Sequence, residues 1–195
     1  MTTLTEAPAI PNDPEGVAAG RRLMNLFLGT GLALVFILML VGVTMRMAQA
    51  GWVPLDPAWF YSLMTLHGAG MIVALVLCGM GGVWYLVRRE VTMDLRLGYW
   101  SYGLILAAVV LVLAATMVGN FAAAWTVLHP LPFINPTWPF WSTGAFIIAY
   151  ALVIVGWTIW SFQILEAVMR RYGGLRGALG WDLVFNAKAF KESGR

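Results

Sequence analysis

One imidazole stands where an imidazole is costly. His67 lies inside the run YSLMTLHGAGMIVALVLCGMGG, and no other apolar run of the chain holds a histidine. A polar side chain at membrane depth is paired or functional. Two chemistries are open to it. It can hydrogen-bond a neighbouring helix, an interaction of about 0.6 kcal/mol in membrane bundles. Or its neutral ring can ligate a haem iron. Gly70, Met71, Ala74, Cys78 and Gly81 fall on its helical face, and Gly68 adjoins it. Small side chains admit either a flat cofactor or another backbone, so the stripe fits both chemistries. Thr65 can bond the backbone or a cofactor edge.

Other polar candidates are few. Arg46 sits where the first apolar run ends. It can snorkel to the interface, pair with Asp56 across the following loop, or hold a haem propionate by a charge-assisted bond. Met71, one turn below His67, reads as packing against the core or a haem face. His129 lies among Pro130, Pro132 and Pro136 and reads as a loop residue facing solvent or a partner. Alternatively it bonds a propionate or serves as a second axial ligand. The single Cys78 reads as a small buried hydrophobe. Glu166 and Arg170 form an i,i+4 pair worth a few tenths of a kcal/mol.

The elements that must carry these residues follow from composition. Of 195 residues, 61% are hydrophobic and 11% charged. A soluble domain is roughly a quarter charged, so a soluble enzyme, a disordered chain and a nucleic-acid binder are excluded. Four runs free of Asp, Glu, Lys and Arg cover residues 23–45, 61–87, 98–121 and 139–165. About 20 apolar residues span a bilayer, and continuous runs demand helices. The expected fold is an all-α membrane protein with four transmembrane helices.

Eleven of the twelve basic residues fall on one side of this arrangement, and Arg46 alone on the other. Both termini are therefore expected in the cytoplasm. Trp52, Trp59, Tyr61, Trp138 and Trp141 are assigned to an outer aromatic belt. Trp84, Tyr85, Tyr99 and Trp100 are assigned to an inner one. Trp125 is also placed on the outer side. Residues 1–20 read as a flexible cytoplasmic tail, residues 21–171 as the membrane domain, and residues 172–195 as a cytoplasmic tail that breaks at Gly173-Gly174.

The segment MTLHGAGM, Met64–Met71, resembles the T-x-H-G-x-x-M stretch of helix II in subunit I of haem–copper oxidases. MRMAQAG, Met45–Gly51, is similar to the arginine-bearing end of that family's helix I. LHPLPFINPTWPFW resembles outer loops of its cytochrome-fed branch. The likeness covers roughly Arg21–Arg171, the family's helices I–IV. It implies that His67 is an axial ligand of the low-spin haem and that Arg46 lies near that haem; by their position beside His67, Gly68 and Met71 are candidates for packing against it. The family builds a larger bundle, with a second haem, a histidine-bound copper and a second low-spin ligand on later helices. This sequence has two histidines, too few for a copper site.

The favoured expectation is thus a split or truncated subunit I of a respiratory haem–copper oxidase, not catalytic alone. Its low-spin haem, of unspecified type, would be shared with a larger membrane chain. A copper-carrying subunit and cytochrome c are expected further partners, and a prokaryotic inner membrane the expected location. The alternatives are a structural or assembly subunit without a cofactor, a standalone membrane cytochrome b, and part of a nitric oxide reductase.

Overall fold

In the computed structural model, residues 14–124 and 137–184 are described. Their regular structure is entirely helical. Helix α1 runs Pro14–Gln49, α2 Pro57–Val87, α3 Leu95–Leu113 and α4 Phe140–Tyr172, followed by the short α5, Leu175–Ala178, and α6, Trp181–Val184. Four helices are long and apolar enough to cross a membrane, matching the four runs. Each helix begins or ends outside its run at one end at least, and α3 stops short of residue 121, because a helix ends where its backbone is capped, not where hydropathy falls. The helix α1 takes in residues 14–20, which composition had assigned to the tail. Residues 1–13, 125–136 and 185–195, with His129 and Trp125, lie outside the described residues.

The caps explain several boundaries. Asp56 Oδ1 accepts from the Ala58 amide at 2.8 Å, with Pro57 at the first helical position. This carboxylate therefore closes α2 and does not pair with Arg46. Asp94 does the same for α3, accepting from the Arg96 amide at 2.7 Å. At the far end of α4, Gly173 adopts φ +71°, a left-handed stop that glycine takes without a Cβ penalty. The break expected there is observed. The exposed Glu166–Arg170 pair forms at 2.5 Å on the last turns of α4.

Helix α1 packs mainly on α2, and α3 mainly on α4. Leu38 meets His67 while Gly20 meets Trp84, so the first pair is antiparallel. Two buried clusters fill the bundle. One gathers Leu38, Leu66, Ala69, Val112, Phe121 and Phe146 near the His67 end. The other gathers Leu23, Phe27, Leu77, Trp84, Ile105 and Trp160 near the arginine-rich end. Polar stitches cross between helices: Thr30 Oγ1 and Tyr102 Oη are 2.8 Å apart, and Ser101 Oγ donates to the Gly156 carbonyl.

Two belt assignments change. Trp84 is 1% exposed and donates its indole N–H to the Gly20 carbonyl at 3.2 Å. Trp138 is buried, packs edge-on against Phe121 and donates to Thr143 Oγ1 at 3.1 Å. An indole at a helix end satisfies its N–H equally well at an interface or on a buried acceptor. Trp52, Trp59, Tyr61, Tyr85, Tyr99, Trp100 and Trp141 are exposed, as belt residues are.

Candidate functional site

The site is assembled from one face of α1 and one side chain of α2. Leu38, Gly42 and Arg46 recur every four residues on α1, a stripe about 12 Å long at 1.5 Å per residue. His67 projects from α2 toward it. Its Nδ1 lies 2.8 Å from the Leu38 carbonyl oxygen. A carbonyl only accepts, so Nδ1 carries the proton. In the neutral ring with this tautomer, the other nitrogen, Nε2, keeps its lone pair. No hydrogen bond joins Nε2 to a described residue.

Gly42 makes this approach feasible. A Cβ at position 42 would stand 2.9 Å from His67 Cε1 and 3.5 Å from Nε2. Any other residue there would press the ring off its carbonyl. Sequence reasoning missed Gly42, because one glycine in an apolar run carries no mark of which ring it faces.

His67 and Arg46 line one groove with Met39, Gly42, Val43, Met47, Ala50 and Trp52. Its volume is about 540 Å³. The walls are otherwise apolar. Arg46 is exposed, and its Nη1 donates to Gln49 Oε1 at 2.8 Å. A neutral imidazole with a free nitrogen, apolar walls and a cation at the rim is a donor set that fits haem: a soft iron ligand, a dry face and a partner for carboxylates.

The remaining predicted residues are placed differently. Gly68 and Met71 are half-buried and do not line this groove; Met71 packs against the cluster containing Leu38 and Phe121. The small stripe of α2 is filled by α1. A Cβ on Gly70 would stand 2.7 Å from Leu38 Cδ1, and one on Gly81 2.8 Å from Leu28 Cγ. Cys78 Sγ would lie 2.6 Å from a Cβ on Gly31. Of the two objects the stripe could admit, the structure shows a helix.

Thr65 also has another task. It is fully buried, donates to the Tyr61 carbonyl at 2.8 Å and accepts from the Ala124 amide at 3.0 Å. It ties the segment after α3 down onto α2, two residues from His67. That segment begins unusually. Ala114–Val118 forms a π-helical turn, closed by Gly119 N–H to Ala114 O at 3.0 Å. Thr116 Oγ1 donates to the Val112 carbonyl at 2.7 Å. Asn120 and Ala124 then take positive φ, +49° and +62°. Such turns inside helices gather at functional sites.

A family model described as Cytochrome C and Quinol oxidase polypeptide I matches residues 22–184. No individual curated protein and no solved structure matches the chain.

Proposed function

Because the chain belongs to the family of cytochrome c and quinol oxidase polypeptide I, a multi-pass, haem-binding component of respiratory electron transport, we propose that His67 is an axial ligand of its low-spin haem. The observation that carries this is the Nδ1 bond to the Leu38 carbonyl. It fixes the tautomer, orients the ring and raises the basicity of Nε2, as backbone acceptors do behind iron- and zinc-bound histidines. Haem, when bound, supplies the one-electron iron centre.

This chain's residues do the rest. Gly42 leaves room for the ring, Met39, Val43 and Met47 keep water from it, and Arg46 offers a charge-assisted bond to a propionate. The second ligand and a copper site would come from a larger membrane chain, making this polypeptide the part of a split subunit I that holds one side of the haem. A copper-carrying subunit and cytochrome c would complete the electron path. The arginine-rich end would face the cytoplasm of a prokaryotic cell.

The same hydrogen bond favours a second reading, in which His67 is only interhelical glue in a structural or assembly subunit. One experiment separates them. The complex is purified in mild detergent, with and without His67→Ala, and reduced-minus-oxidised visible spectra are recorded. The expected result is a sharp low-spin band in the wild type that the variant lacks. An unchanged band in a folded His67→Ala complex would leave the glue reading standing.

A further inference from the structure

A second cavity lies at the opposite, arginine-rich end of the bundle. It is a cleft of about 480 Å³ between the start of α1 and the α2–α3 turn. Arg21, Arg88 and Arg89 line it, and none of the described residues lining it is acidic. Val17, Met24 and Trp84 supply apolar wall.

The three cations are held differently. Arg89 lies 5.8 Å over the Tyr85 ring, a cation–π contact that leaves its N–H groups available. Arg21 is exposed at the rim. Arg88 is drawn inward: its Nη2 donates to the Gly16 carbonyl, and its guanidinium occupies the space a Cβ on Gly20 would fill. Its Nη1 is buried and has no hydrogen-bond partner among the described residues. Burial pulls the Arg88 pKa below the ordinary arginine value.

We propose that this cleft binds the phosphodiester of an anionic phospholipid, with Arg88 inside, Arg21 and Arg89 at the rim, and an acyl chain along Val17 and Met24. The occupant follows from placement. The cleft combines three cations with apolar wall at the ends of membrane-spanning helices, where headgroup phosphates reside. Basic pockets between such helices are recognised lipid sites. A soluble anion would use the cations but not the apolar wall.

The test uses the full chain, purified with the chains that accompany it and exchanged into equal phosphatidylglycerol and phosphatidylcholine. Bound lipid is counted by native mass spectrometry. Wild type is expected to retain phosphatidylglycerol. Each arginine near an anionic surface contributes about fivefold in affinity, so Arg21→Gln with Arg89→Gln should weaken retention about 25-fold. Arg96→Gln, outside the cleft, should leave retention unchanged.

Equal retention by the double variant, or no preference over phosphatidylcholine, would overturn the proposal. So would complete displacement by millimolar inorganic phosphate, which would mark a free-anion site. A wild-type measurement guards against misfolding of the variant. Phosphatidylglycerol carrying a headgroup diazirine should cross-link within residues 16–24 or 84–95, and cross-links confined elsewhere would also overturn it.

Discussion

At the scale of the residue, the molecule turns on one carbonyl. Leu38 O is already the acceptor for its own helix, yet it also receives His67. That is feasible because Gly42, one turn on, has no side chain. Gly42→Ala should therefore displace the ring at a cost of about 1–3 kcal/mol; under the proposed ligation this broadens or shifts the low-spin band and lowers haem content. Gly29 faces open space. Gly29→Ala should leave the spectrum alone and gain about 0.5–1 kcal/mol of helix stability. Thr65→Val would strand the Ala124 amide, costing about 1–3 kcal/mol, with thermal melts of the purified complex as the readout and Thr65→Ser restoring most of the loss. His67 itself was legible in the sequence, since an imidazole among apolar residues is conspicuous at any depth. Its partners were not. A backbone carbonyl has no sequence signature, and Gly42 becomes distinctive only when α2 is laid against α1.

At the scale of the element, the count of helices was legible and their ends were not. Lipid demands about 20 apolar residues per span, and that requirement writes itself into composition. The caps are set by single residues such as Asp56 and Gly173, outside the apolar runs. The small stripe of α2 was legible as a stripe, but a helix and a flat cofactor ask for the same side chains. Leu28, Leu38 and the Gly31 backbone fill it. Gly31→Leu should accordingly block α1–α2 pairing, with loss of monodisperse protein on size-exclusion chromatography. Gly79→Leu, on a face where nothing lies within 4 Å, should elute as wild type. The π-helical turn of α3 was not legible, because Ala, Thr, Met and Val there suit an ordinary helix equally well.

At the scale of the whole molecule, the two ends differ in kind. One end is apolar and carries His67 with a lone cation. The other gathers arginines around a cleft. Charge asymmetry of this sort orients membrane proteins, so single cysteines placed at position 52 and at position 90 should label from opposite sides in sealed vesicles, with position 90 reached only after the membrane is opened. The pairing of α1 with α2 and of α3 with α4 has a consequence for how the chain is made. Each hairpin bonds its own backbone internally and can enter a bilayer before it meets the other, as two-stage assembly requires. Cut in the turn between Val87 and Leu95 and translated as two messages, the halves should find one another in the membrane and complement. For this molecule the peptide link between hairpins would then act as a tether that sets local concentration, one the fold should be able to lose.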